Sequence, residues 1–318
     1  MHFPVAGIDV SPWVPPLTAL VVSFFTSMGG VSGAFLLLPF QVSFLGYTAP
    51  SVSATNQFYN VVAIPSGVYR FIREGRMVWP LTWMVVIGTL PGVLIGAIVR
   101  VKYLPDPGAF KLFAGLVLLY IGVRMVRDLL KKKTPGQDKA SAEKRFQEQV
   151  KAWRQRAAQS TQSGDPLPTV CVRRFSLTRI CYEFYGEVYD VSSIGIFSLS
   201  FIVGIIGGVY GIGGGAIIAP FFVTFFHLPV YTVAGAALMG TFVTSVAGVA
   251  FYQAIAPLYP NMSVAPDWTL GLLFGLGGMV GMYLGARMQK HVPAKAIKWM
   301  LAAVIVYTGG KYVVGFLM

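Results

Sequence analysis

Carboxylates are scarce in this chain, with 12 Asp and Glu against 25 Lys and Arg. Each lies in a polar stretch or at the edge of an apolar one: Asp9, Glu74, Asp106, Asp128, seven acids in 131–191, and Asp267. The long hydrophobic runs therefore hold no acid to relay a proton or to pair with a cation. Histidine is limited to His2, His227 and His291, none in register with a nucleophile and an acid, which excludes the usual catalytic sets and predicts no enzyme. The two cysteines, Cys171 and Cys181, supply neither a disulfide framework nor a metal pair with a partnering His, so no metal and no cofactor is expected. A Gly-x-x-x-x-Gly-Lys-[Ser/Thr] run is missing, so the chain brings no ATPase of its own. Residues 1–16 lack Lys and Arg, unlike the basic start of a cleaved secretory signal.

Hydrophobic surface is what the chain has in excess. A mean hydropathy of +0.66, 55% hydrophobic residues and 12% charged ones describe a polytopic, all-α membrane protein whose first partner is the lipid bilayer. The basic excess sits in loops and in one insert, where it sets orientation, and no nucleic-acid partner is expected. Apolar segments run over Pro16–Leu45, Ser51–Phe71, Val78–Val101, Phe110–Leu130, Ile194–His227, Tyr231–Ala256, Trp268–Met288 and Ala296–Phe316. Most approach the ~20 residues that cross a bilayer, whereas the first and fifth reach about 30.

The fifth segment contains seven glycines between Gly204 and Gly215, followed by Pro220. Each glycine costs a helix about 1 kcal/mol and a proline about 3, so a continuous rod is improbable there. Broken backbone survives at membrane depth only where protein buries it or water reaches it, because lipid cannot pair the freed N–H and C=O groups. The break occurs twice. Gly30, Gly33 and Pro39 fall on Gly211, Gly214 and Pro220 at an offset of 181. Gly88, Gly92, Gly96 and Ala97 fall on Gly277, Gly281, Gly285 and Ala286 at 189, and Lys111 and Tyr120 on Lys298 and Tyr307 at 187. The chain is a duplication: a first membrane repeat over 1–130, a basic insert over 131–191, and a second repeat over 192–318. Paired glycine-interrupted segments at corresponding positions point to a transporter's central site.

The insert opens with a basic stretch from Lys131 through Arg156 rich in helix formers, passes a loop over Ser160–Pro168, and ends in alternating residues, Val170–Val191, that predict a short β-hairpin turning near Gly186. Its Lys and Arg place it in the cytoplasm, with Arg70, Arg73 and Arg76 and with Arg287, Lys290, Lys295 and Lys298 on the same side. Three apolar segments separate the insert from Arg287, an odd number between two cytoplasmic points. One of them therefore does not span. The glycine-broken segment is the candidate for a re-entrant hairpin, and by symmetry so is the first one. Each half then has one hairpin and three transmembrane helices, and the halves are inverted repeats, at the expense of Arg100 and Lys102 on the outside. The rival is eight full spans in parallel halves.

Inside the membrane the chemistry left is uncharged hydrogen bonding, from Thr55, Asn56, Gln57 and Asn60 after the first break and Thr241, Thr244, Ser245 and Gln253 after the second. Broken helix ends add unpaired N–H groups and about half a positive charge at each N-terminus. Such a lining selects an anion. The expected substrate-binding residues are Gly29, Gly30, Gly33, Gly211, Gly213, Gly214 and Gly215 as facing backbone cradles, with Asn56, Gln57, Thr241 and Thr244 adding side-chain bonds. The Gly88 and Gly277 rows read as helix packing.

The Gly-x-x-Gly-x-Gly-Gly-Gly-x-x-x-x-Pro pattern at Gly208–Pro220, its weaker copy ending at Pro39, and the Ala-Thr-Asn and Gly-Thr elements at Ala54–Asn56 and Gly240–Thr241 resemble the TauE/SafE family of sulfite and organosulfonate exporters. The first copy departs from the pattern, with Ser32 and Ala34 where the second has glycines. The resemblance implies an inner-membrane permease for a small anionic substrate such as sulfite, sulfoacetate or another organosulfonate. The alternatives are a permease for another small anion such as a carboxylate, and a non-transporting regulatory membrane protein acting through the basic insert.

Overall fold

The computed structural model describes residues 1–28, 32–73, 77–130, 170–184, 187–215, 217–226, 228, 230–288 and 294–317. The basic stretch and loop expected over 131–169, Gly29 and Gly30 of the first cradle, Gly186 and His227 lie outside the described residues. The helices are α1 (Val14–Met28), α2 (Ala34–Ser43), α3 (Ser51–Ala63), α4 (Pro65–Arg73), α5 (Trp79–Lys102), α6 (Pro107–Leu130), α7 (Ser193–Tyr210), α8 (Ile218–Phe225), α9 (Val230–Ile255), α10 (Trp268–Met288) and α11 (Ala294–Leu317). Two small sheets join them: β1 (His2–Phe3) with β2 (Ile8–Asp9), and β3 (Cys171–Phe175), β4 (Arg179–Phe184) and β5 (Glu187–Ser192).

Six helices among the described residues are long and apolar enough to cross a membrane: Trp79–Lys102, Pro107–Arg127, Ser193–Tyr210, Thr232–Leu258, Trp268–Gly285 and Trp299–Leu317. The expected layout of one hairpin and three spans in each half also totals six, but two of these candidates lie in the first repeat and four in the second. Ser193–Tyr210, the first leg of the second broken segment, is among them. The expected single span Ser51–Phe71 is instead two helices that meet at Ile64, because Pro65 has no N–H to continue the ladder. Ile64 keeps α-helical dihedrals and its carbonyl accepts from Gly67 and Val68, so the pair forms a bent rod.

The glycine rows make the seams. On α5, a side chain at Gly88, Gly92 or Gly96 would run into the α7 backbone at Phe197, Phe201 and Ile205. On α10, Gly277, Gly281 and Gly285 meet the α1 backbone at Pro16, Leu20 and Phe24 in the same way. Small residues let the helices approach until carbonyl and Cα atoms touch, which replaces the hydrophobic drive that lipid does not supply. The packed pairs are symmetric under exchange of the halves. α1 packs on α10 as α7 packs on α5, α10 on α3 as α5 on α9, and α2 on α3 as α8 on α9, while α3 meets α9 and α6 meets α11.

The insert forms three antiparallel strands where the sequence predicts a two-stranded hairpin. β4 and β5 are that hairpin, with Ile180 opposite Val191 and Tyr182 opposite Tyr189. β3 is added across a turn in which Ser176 Oγ accepts from the Arg179 N–H at 3.0 Å, with a register shift between Val172 and Arg174. Alternation along β4 buries Ile180, Tyr182 and Phe184 and leaves Arg179 and Glu183 outward, paired with Asp190 and Arg173. The buried face docks on the membrane helices, where the Tyr182 and Thr232 hydroxyls are 2.9 Å apart. β5 runs into α7 with no linker, Ser192 capping the helix by accepting from the Gly195 N–H. The N-terminal ribbon was not expected. Gly7, at φ 65°, turns it and lets Phe3 and Ile8 enter the core.

Candidate functional site

The two broken segments meet at one stripe of α3. Ser53, Asn56 and Asn60 recur three and four residues apart, so they share a helix face, and all three are fully buried. Asn56 Nδ2 donates to the carbonyls of both Ala34 (3.0 Å) and Gly211 (3.1 Å), one from each break. Asn60 Nδ2 donates to Ile212 O at 3.0 Å, and Asn60 Oδ1 accepts from Ser32 Oγ at 2.8 Å. Ser53 Oγ donates to Val209 O, and Tyr210 reaches across to Phe35 O while its ring stacks on Phe35 at 6.0 Å. Two asparagines thus tie the tips together, Asn56 through one backbone carbonyl of each and Asn60 through Ile212 O and the Ser32 hydroxyl.

The second tip is caged on three sides. α7 ends at Gly211 and the chain turns back through Gly213; their φ angles of 80° and 75° are left-handed conformations that glycine adopts without penalty. A side chain at Gly211 would strike Ser53 of α3, at Gly214 Thr89 of α5, and at Gly213 or Gly215 Thr241 of α9, with Ser245 also in contact at Gly213. Gly33 at the first tip has an ordinary φ of −58°. It is glycine because Tyr59 and Ser23, whose hydroxyls bond at 2.7 Å, stand where a methyl would go.

The expected side-chain contacts sort into committed and uncommitted donors. Thr241 and Thr244 donate to the carbonyls of Ala237 and Gly240 in their own helix, as membrane Ser and Thr residues commonly do. Thr244 Oγ1 also accepts from the Gly214 N–H at 3.2 Å. Both amide protons of Asn56 are taken by the tip carbonyls, and its Oδ1 accepts from Gln41 Nε2 at 3.3 Å. Gln57 differs: it is fully buried against Gly248 of α9, and neither its Oε1 nor its Nε2 has a partner. The N–H groups of Gly33, Gly213 and Gly215 donate to no other described residue. Gln253 is exposed near the end of α9 and takes no part.

Ser53, Gln41, Tyr59 and Thr89 also touch the tips or Asn56 and were not anticipated. Ser53 was legible as one turn before Asn56 on the same face, and Gln41 as a lone amide in the otherwise apolar helix Ala34–Ser43. Tyr59 and Thr89 carry no local signal. Nothing among the described residues groups three or more His, Cys, Asp or Glu side chains as a metal site would.

A family model described as "Sulfite exporter TauE/SafE" matches residues 16–312. Two curated proteins of Bacillus subtilis are similar over shorter stretches. "Probable membrane transporter protein YunE" is 28% identical over 127 residues, 39% of this chain and 43% of that protein. "Probable membrane transporter protein YdhB" is 27% identical over 110 residues, 35% of this chain and 42% of that protein. The matches therefore span about two fifths of those relatives. No solved structure matches the chain. With six helices among the described residues able to cross a bilayer, this is a multi-pass inner-membrane protein. A match covering both glycine-broken segments and every helix between them places the chain in the TauE/SafE sulfite exporter family.

Proposed function

We propose that the protein is a permease that moves a small sulfur oxyanion, such as sulfite, sulfoacetate or another organosulfonate, outward past the two glycine tips. One observation carries the reading. Where Asn56 joins the tips, the buried Gln57 amide has no partner, and the buried N–H groups of Gly33, Gly213 and Gly215 donate to no other described residue. A buried amide without a partner costs about 1–3 kcal/mol, and an oxyanion satisfies several at once. Glycine keeps side chains out of the way. The paired packing fits a duplication, and the charge parity of the loops is what supports inverted halves, each a re-entrant hairpin with three spans, and the basic insert on the cytoplasmic side.

With no acid in the pathway, the membrane potential is sufficient as the driving force. An inside-negative potential expels each negative charge by about 2.3 kcal/mol per 100 mV. The test is efflux of sulfite, sulfoacetate, taurine and acetate from proteoliposomes under a set voltage. The reading expects voltage-driven flux of the sulfur oxyanions that Gly213→Leu abolishes. Sulfite flux that persists at zero voltage and stops without a proton gradient overturns the uncoupled mechanism, and flux of acetate alone overturns the substrate class.

A further inference from the structure

The geometry points to a second anion station at Arg100, away from the glycine tips, where a buried guanidinium takes a small oxyanion in passage. The inference rests on the permease reading above. Arg100 lies in the last turn of α5 and is fully buried, the largest fully buried side chain among the described residues. Among those residues no carboxylate pairs with it. Its neighbours are neutral. One terminal nitrogen donates to Leu104 O, the other to Thr48 O at 2.8 Å, and its carbon sits 3.8 Å from the centroid of the Phe110 ring.

A guanidinium has five N–H donors, and two carbonyl bonds leave the Nε–H unused and buried. Carbonyl oxygens and a ring face orient the cation without cancelling its charge. A full positive charge out of water with no counterion is an unusual thing for a fold to keep, since buried charges are normally paired. An oxyanion supplies what is missing, and the planar fork of Arg matches two oxygens of such a group better than a Lys ammonium does.

Its position relative to the tips gives the station a role. Thr48 belongs to the loop that follows α2, the outgoing leg of the first break. Tyr252, fully buried on α9, donates to Gly208 O three residues before the turn at Gly211. Arg100 therefore holds the loop that follows the first broken segment, on the same helix whose Thr89 packs against the second tip at Gly214. An anion leaving the tips meets a fixed positive charge next, which lowers the barrier to departure and biases the pathway against cations.

The test measures sulfite, sulfoacetate, acetate and chloride binding to the full chain purified in detergent, by calorimetry, for the native protein, Arg100→Met and Arg100→Lys. Unfolding midpoints are recorded without ligand. The expected result is a sulfite Kd at least tenfold higher in Arg100→Met and intermediate in Arg100→Lys, whatever the change in midpoint. A purely structural Arg100 lowers the midpoint and leaves the Kd of the folded protein unchanged in either variant; that outcome overturns the station and leaves the tip reading standing. Should Arg100→Met not fold, an unchanged Kd in Arg100→Lys overturns it alone. A native chain that binds none of the four anions overturns both readings.

Discussion

The two tips are copies in sequence and differ in how their backbone is held. At the first, Ser32 and Ala34 occupy the positions of Gly213 and Gly215. Ser32 Oγ reaches Asn60 and also accepts from the Ala34 N–H, so this tip carries its own brace. The second has no side chain from Gly213 to Gly215 and is held from outside, by Asn60 on Ile212 O and Thr244 on Gly214 N–H. Its left-handed turns demand glycine for conformation, whereas Gly33 is glycine for space. Duplication preserves where a segment breaks, and the packing around each break decides how its atoms are satisfied.

The strongest way to break this comparison is Gly213→Leu. Left-handed backbone costs a side chain roughly 1–2 kcal/mol, and the clash with Thr241 and Ser245 adds about 1–3. Sulfite flux is expected to vanish, with a lower unfolding midpoint in detergent. Asn56→Leu comes next. It strips a donor from Ala34 O and from Gly211 O together, a loss of roughly 2–4 kcal/mol for two buried carbonyls, read as a lower midpoint and at least tenfold slower efflux. Gly33→Ala sharpens the contrast. Its cost of about 1–3 kcal/mol is steric, so adding Tyr59→Phe recovers part of it in thermal unfolding. Gly213→Ala is not recovered by Ser245→Ala, because its φ stays left-handed. Smallest are the α9 threonines. Thr244→Val removes the acceptor of Gly214 N–H for about 1 kcal/mol, while Thr241→Val loses only a bond to its own helix and stays within roughly 0.5 kcal/mol in the same assay.

Much of the architecture was legible because membrane chemistry leaves few options. Twenty apolar residues announce a span, seven glycines announce a break, and the second copy announces a duplication. What stayed hidden is long-range. Nothing near Gly88 says that its partner is the backbone of Phe197, and nothing near Asn56 says that its two protons go to carbonyls from opposite halves. Composition marks Asn56, Gln57, Thr241 and Thr244 alike as buried polar residues. Only coordinates separate Gln57, whose amide is unspent, from the other three, whose protons are committed. Arg100 looked like a loop charge at a helix end, and burial turned it into the one feature of α5 that charge counting mislabels.

The glycine seams have a consequence for how the molecule comes into being. The first leg of each break finds its close backbone partner in the opposite half, α1 on α10 and α7 on α5. Neither half has a finished interior by itself. As the chain emerges from the ribosome, the backbone at Pro16, Leu20 and Phe24 lacks its close packing partner until Gly277, Gly281 and Gly285 have been synthesised, some 260 residues later. A gene split within 131–169 should therefore give two inert fragments that regain stability only when made in the same cell.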